Sequence, residues 1–375
     1  MGHRVQYLLR FLEKKEIKVK VLDISFRHEP QSLFGFLKNI FLFPSRALTS
    51  HNCIIHFPSL PFINDNHDTS SAFAHFMYTL IEFILAKIVS RSLDYNVVIA
   101  EDPISAFVAS AARKPNSFFV YEDVDYYEDL QSGKTRGKFI SLLENAALKR
   151  ADVVVSVSEP LLRRACLANS DCILVPNGAK LEYFRKPREL CRERSFVYAG
   201  SIVEWTGLEV AIEGFLILRK RIPGITMLIV GDGKDKDTLE ALVRNLSLQD
   251  SISFTGRVPY DQMAELLCKS CVGLATFRPG KAAAFASPLK LFDYMAAGVP
   301  IIATDIGDIG RILRESESGF AIRWDVKEFV KAAETLLTNR TLWLDFHEKG
   351  LRYVEKYDWD KLFDGWLQEI KNRIE

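Results

Sequence analysis

Apolar and polar positions along the second half of the chain alternate in short blocks. Runs rich in β-branched and aromatic residues, "SFVYAGS" (195–201), "ITMLIVG" (225–231), "SISFTG" (251–256), "CVGLATF" (271–277) and "VPIIAT" (299–304), are separated by segments in which apolar residues return every three or four positions. Such alternation predicts a parallel sheet with crossover helices on both faces. The helix after the first run has its start and stop written out. Thr206 with Glu209 three residues on predicts a capping box, Leu208, Ala211, Ile212 and Phe215 follow at helical spacing, and Pro223 with Gly224 ends the element.

The first half repeats the pattern less regularly. "VKVLDISF" (19–26), "NVVIAED" (96–102), "SFFVYEDVD" (117–125), "ADVVVSVS" (151–158) and "CILVPNG" (172–178) read as strands with helical patterns between most of them, which predicts a second doubly wound α/β domain. The charged, proline-containing stretch 181–195 has no clear period and reads as the linker. The expected division is therefore 1–185, 186–356 and a terminal helix over 357–375. The opening "MGHRVQYLLRFLEKK" reads as a helix after a glycine loop. A doubly wound domain ordinarily places a central strand before that helix, so either a rearranged first sheet or a start codon set too late is expected.

Composition changes this picture little. A chain of 375 residues, 48% hydrophobic and 26% charged, suits a soluble two-domain protein. Its 49 Lys and Arg balance 48 Asp and Glu, which excludes a global electrostatic argument for nucleic acid, so any anion site must be local. Six cysteines without a secretory leader point to a reduced, cytoplasmic setting, and the Cys268/Cys271 pair, with no second pair or nearby histidine, reads as packing rather than a metal or redox centre. No run reaches membrane-span length: "AFAHFMYTLIEFILAKIV" (72–89) is broken by His75, Glu82 and Lys87. The aromatic and basic segment 32–48 has two readings, a helix lying in a bilayer interface at the inner face of the membrane, or one packed within its own domain.

Open α/β sheets bind ligands beyond the carboxyl ends of their strands. The last crossover there, "SPLKLFDYMAAGVPIIATDIG" (287–307), offers Ser287 as N-cap, Pro288 at the first helical position and free amides that attract an anion. Lys290 in the same turn opposes the helix dipole unless an anion lies between them. Asp293, one turn on, suits the hydroxyls of a ribose. The plainer reading is a surface lysine and a helical aspartate with no ligand. Gly231-Asp232-Gly233 lacks the third glycine of a dinucleotide fingerprint, which disfavours hydride transfer, and there is no P-loop, HExxH or GxSxG sequence.

The block from "FVYAGSIVEWTGLEVAIEGF" through "MLIVGDG", "ISFTGRVP" and "SPLKLFDYMAAGVPIIATDIG" resembles the family 4 glycosyltransferases of the GT-B fold. "ENAALKRADVVVSVSEPL" and "VPNGAKLEYF" are similar to the family's final N-domain helix, strand and exit loop, and the ending "YDWDKLFDGWLQEI" to its terminal helix. The resemblance implies two Rossmann-like domains facing a cleft, an acceptor side in the first, a nucleotide-sugar side in the second, and a terminal helix crossing back. Carried over residue by residue, it brings Gly200, Ser201, Lys290 and the Ser287, Pro288 and Leu289 backbone to the diphosphate. Arg257 and Val258 fall to the base, and Asp293 to the ribose. It implies no metal and no cofactor beyond the donor, because a cation and helix amides can stabilise the departing diphosphate.

This chain departs from the family pattern at three positions. Ser201 stands where an arginine is usual, Thr206 where a lysine is usual, and Phe285 where a glutamate is usual; Lys281 or Arg278 are the candidate substitutes. In the first domain, Asp123 or Asp125 of "YEDVDYYEDL" (121–130) is the candidate to deprotonate an acceptor hydroxyl or to steady an oxocarbenium-like centre, against a solvated acidic loop. Glu101, Asp102, His3 and Arg4 are weaker candidates. The expected function is transfer of a sugar from a nucleoside diphosphate sugar to a hydroxyl acceptor, a lipid-linked or cell-surface glycan precursor by family habit. The alternatives are a non-catalytic nucleotide-sugar-binding subunit and a nucleotide-sugar epimerase.

Overall fold

The computed structural model describes residues 3–19, 25–27, 56–58, 80, 83–84, 86–88, 90–127, 134–184 and 194–375. The segment 32–48, with its bilayer reading, and residues 128–130 of the acidic cluster lie outside them. Two compact units emerge, Met1–Val175 with Glu369–Glu375, and Pro176–Gln368. They part after Val175, at the end of a strand, so residues 176–184 belong with the second unit.

The second unit is built on six parallel strands. These are β7 (Ser195–Ala199), β8 (Thr226–Val230), β9 (Ile252–Gly256), β10 (Val272–Ala275), β11 (Ile301–Thr304) and β12 (Gly319–Ile322), in the order β12-β11-β10-β7-β8-β9. Every pairing is parallel, with Phe196 opposite Met227 and Gly273 opposite Ile301. Strand periodicity divides β7 between two cores. Phe196 and Tyr198 face the helices Glu209–Arg221 and Val326–Thr338, while Val197 and Ala199 face Leu289–Ala296 and Gly307–Ser316. Burying each of the aromatics on these faces contributes about 1.5–3 kcal/mol.

Two expected caps are replaced. Glu209–Arg221 starts after Leu208 without a side-chain cap, because the Thr206 hydroxyl donates back to the Val203 carbonyl (2.6 Å) and Glu209 is drawn to Arg278. Pro288, not Ser287, is the N-cap of Leu289–Ala296, and it has no side-chain hydrogen bond to give. The stop at Gly224 holds, with φ +78° after the former helix, and Gly298 takes φ +64° after the latter.

The first unit opens with the helix His3–Lys14, which buries Leu8, Phe11 and Leu12. Its sheet is divided. β1 (Ser25–Arg27) and β2 (His56–Pro58) pair with each other in parallel, and a separate parallel sheet runs β3 (Val97–Ala100), β4 (Phe118–Asp123), β5 (Val153–Ser156), β6 (Cys172–Leu174). β4 and β5 are almost wholly buried, whereas β3, which among the described residues pairs with β4 alone, leaves Ile99 exposed. The last helix, Trp359–Ile374, begins in the second unit and ends in the first, where Arg373 meets Asp171 at 3.0 Å.

The CxxC pair divides between the two cores of the second unit, Cys271 in one and Cys268 against the other. Among the described residues no group of His, Cys, Asp and Glu is arranged for a metal ion. Cys271 takes part in a disulfide. Among the described residues no helix is long and apolar enough to cross a membrane.

Candidate functional site

The loops beyond the carboxyl ends of β7, β8 and β10 are drawn together by glycines. Gly231, at φ +138°, lies so close to the loop after β7 that a Cβ there would sit 1.9 Å from the Gly200 carbonyl oxygen. The Ile202 amide donates to the Asp232 carbonyl at 2.9 Å. The Gly231-Asp232-Gly233 turn therefore serves close approach of two strand-end loops, not a dinucleotide fingerprint. It leaves Gly200 and Ser201 exposed at the rim.

Lys290 reaches this rim from the first turn of Leu289–Ala296. Its ammonium lies 3.8 Å from the centre of the Tyr198 ring and 5.1 Å from that of Phe277, and a Cβ on Gly200 would come within 3.0 Å of it. Among the described residues no carboxylate pairs with it. The side chain is half-buried, and the protein packed about it is dense enough that burial pushes the ammonium down to about 7. The adjoining helix start has no side-chain cap, so its first amides stay available beside the cation. Just upstream, the Ser287 carbonyl accepts from Asn177 Nδ2 at 2.7 Å, while the Ser287 hydroxyl is buried without a hydrogen-bond partner.

Asp293, one turn beyond Lys290, is 8% exposed. Burial pushes its carboxyl up to about 7, and a hydrogen bond from Tyr260 pulls against that shift, the phenol donating to Oδ1 at 2.5 Å. Tyr260 opens the helix that follows the 257–259 loop, so the same segment presents exposed Arg257 and half-buried Val258. The structure thus joins Gly200, Ser287, Pro288, Leu289, Lys290 and Asp293 through direct contacts or one helix, and ties the Arg257–Val258 loop to Asp293 through Tyr260.

The acidic residues of the first unit separate into different environments. Asp123 is 0% exposed: it accepts from Arg164 Nη2 at 2.7 Å and from the Ser156 hydroxyl at 3.2 Å, and Arg164 also holds Glu144 at 2.9 Å. Burial pushes the Asp123 carboxyl up to about 7 against the pull of Arg164. A group so enclosed has no face for a substrate hydroxyl. Asp125, two residues on, is exposed at its surface, although the protein crowding around it pushes its carboxyl up to about 6. For reach by a substrate, the open surface is what counts. Asp102 caps the helix Pro103–Ala112 through the Ile104 and Ser105 amides, both at 3.0 Å. Arg4 is turned inward onto Glu122 at 2.8 Å. Glu101 is pushed up to about 7, by burial first and by Glu122 next.

Residues 193–339 match a family model described as glycosyl transferases group 1. This stretch resembles a group 1 glycosyltransferase domain. The chain is 25% identical over 207 residues to an uncharacterized glycosyltransferase of Haemophilus influenzae, covering 53% of each protein. The chain thus spans about half the length of the curated relatives it matches. Solved structures extend the likeness in shape to the whole chain. The sucrose-phosphate synthase of Thermosynechococcus elongatus superposes with a TM-score of 0.73 at 17% identity, over 98% of this chain and 92% of that one. The Anabaena protein HepE in complex with UDP gives 0.65 at 13% identity, over 94% and 100%. Both units therefore share the GT-B fold.

Within the matched stretch, Ser201, Thr206 and Phe285, the residues that depart from the family pattern, supply no cation of their own. Arg278, a candidate substitute cation, is committed to Glu204 at 2.9 Å and to Glu209. Thr206 is buried and Ser201 exposed, and neither carries charge. Sequence reasoning missed Tyr260, Tyr198 and Asn177. A tyrosine at a helix start and an asparagine before a glycine have many local uses, and only the fold shows which side chains they meet.

Proposed function

We propose that the second unit binds the nucleoside diphosphate part of a nucleotide sugar and that the protein transfers the sugar to a hydroxyl acceptor. The observation that carries this reading is Lys290, an ammonium packed on aromatic rings, with no carboxylate partner among the described residues, beside an uncapped helix start. An anion is the group that such an arrangement lacks. In this reading Lys290 and the amides from Leu289 on stabilise the leaving diphosphate, with Gly200 and Ser201 at its edge. Asp293 accepts from the ribose, and the 257–258 backbone and Arg257 meet the base. No metal is required, since the cation and helix amides stand in its place. UDP bound to the similarly folded HepE supports a nucleotide donor.

Asp125 is the acceptor-side base in this scheme. Its carboxylate is open to solvent and its raised affinity for a proton suits removal of one from a hydroxyl. Calorimetric titration with UDP, GDP and ADP, each with and without an attached sugar, tests the donor site. Lys290→Ala should weaken the preferred diphosphate by roughly 10- to 100-fold, the loss of one charge-assisted contact, and the bare nucleoside hardly at all. Equal weakening of both would remove Lys290 from the phosphates.

A second reading has its own support. With Arg278 held by two glutamates and no charge at Ser201 or Thr206, the donor site keeps few cations, which favours a nucleotide-sugar-binding subunit without transfer. Tight binding with neither release nor transfer of the sugar would select it. Conversion of the donor without an acceptor would select an epimerase instead.

A further inference from the structure

We infer that Tyr260 is a positioning residue that makes the nucleotide site selective for ribose over deoxyribose. The inference rests on the donor-site reading of Asp293 and adds a residue that neither the motifs nor the family resemblance supplied.

The geometry is specific. The Tyr260 phenol donates to Asp293 Oδ1 at 2.5 Å, and the phenol oxygen itself accepts from the Lys180 amide at 3.5 Å. Its ring stands edge-on to Tyr183 at 5.1 Å and to Phe184 at 6.3 Å. A phenol so wedged cannot turn away from the carboxyl without breaking these ring contacts. One oxygen of Asp293 is thereby engaged, which orients the carboxyl and leaves Oδ2 to accept from sugar hydroxyls. The arrangement also acts on charge. Among the described residues, Tyr260 and Tyr294 are the titratable groups that interact with Asp293, and Tyr260 alone opposes the burial that favours its protonated form. A protonated carboxyl would present an O–H to the sugar in place of a second acceptor and would lose most of its preference for a ribose diol.

Removing the hydroxyl while keeping the ring isolates this role. Tyr260→Phe preserves the packing on Tyr183 and Phe184. The affinities of the wild type and the variant for UDP and for 2′-deoxy-UDP are compared by calorimetry from pH 5.5 to 8.5, or the guanosine pair if GDP is the ligand bound. In the wild type, UDP should bind about tenfold or more tightly than its deoxy form above pH 7, the scale of one charge-assisted hydrogen bond. The ratio should fall as the pH drops through about 7 and Asp293 takes up its proton. In Tyr260→Phe the ratio should shrink, and the pH at which it fades should move upward, because the group holding the proton off is gone. Taking the ratio cancels titration of the terminal phosphate, which both nucleotides share.

A purely structural tyrosine would weaken both nucleotides alike and leave the ratio and its pH dependence unchanged, which overturns the inference. Addition of Tyr260→Phe to Asp293→Asn provides the control. If Tyr260 acts through Asp293, the second substitution changes the ratio no further; an added change also overturns it. Failure of the wild type to bind any nucleotide is a different outcome and sinks the donor-site reading itself.

Discussion

At the scale of single residues, the two ionisable groups of the donor site have been pushed toward neutrality from opposite sides. Lys290 is lowered to about 7 and Asp293 raised to about 7, burial being the main cause in each. Lys290 is charged below that value and loses its proton as the pH rises through it. Affinity for a nucleotide sugar should therefore decline between about pH 7 and 9, and Lys290→Arg, whose guanidinium keeps its charge, should flatten that decline. An alkaline limb unchanged in the arginine variant would assign it to another group. On the acceptor side, Asp125→Asn should leave donor affinity intact and lower transfer by about 10²- to 10⁴-fold. Wild-type transfer should fall below about pH 6, where Asp125 takes up its proton. Normal turnover in the asparagine variant would take Asp125 out of the mechanism. Arg164→Met tests the contrasting role of Asp123. It leaves two buried carboxyls without their cation and should cost about 3–5 kcal/mol, read as a lower denaturation midpoint in the first unit.

At the scale of elements, close approach of loops accounts for most of the donor site's shape. Gly231→Ala would drive a methyl into the Gly200 carbonyl at a backbone angle that L residues rarely adopt, at about 1–3 kcal/mol, and it should weaken nucleotide binding through the displaced 200–201 rim. Nucleotide affinity equal to that of the wild type would show the rim to be dispensable. Much of this was legible in the sequence. The runs of β7, β8, β10 and β11 are apolar because both sheet faces are covered, and Gly224 and Gly298 mark helix ends with the positive φ that only glycine takes readily. The caps were not legible. Thr206 and Glu209 have the capping-box spacing, yet Arg278, more distant in sequence, claims the glutamate. β12 was missed because Gly319–Ile322 is four residues long and starts with glycine. Asp123 and Asp125 look alike as letters, and only the fold shows that Arg164 encloses one and leaves the other open.

At the scale of the molecule, the units differ in how they meet protons and denaturant. Glu101 and Asp125 bind protons more tightly in the folded first unit than in an unfolded chain, so their contribution is present on the acid side and is lost as the pH rises from about 4 through about 7. The first unit should accordingly be less stable at pH 8 than at pH 5.5. All five tryptophans, 205, 324, 343, 359 and 366, lie in the second unit, so tryptophan fluorescence reports on that unit. Circular dichroism sees both, and the two probes should separate more widely at pH 8. Coincident curves at both pH values would show a single cooperative transition.

The half-covered strand at the edge of the first unit's larger sheet has a kinetic counterpart. Among the described residues, amide protons in Val97–Ala100 are held by one neighbouring strand, under side chains that water already reaches. Those in β5 are held between two strands and wholly buried. Deuterium should enter β3 first and β5 last, because opening at an edge disturbs few buried contacts. The first unit would then open from that side inward. In the second unit β7 and β10 lie at the centre of six strands, and their loops carry the rim around Lys290. Under mild heat or denaturant, the protein should keep its hold on a nucleotide after its other half has begun to loosen.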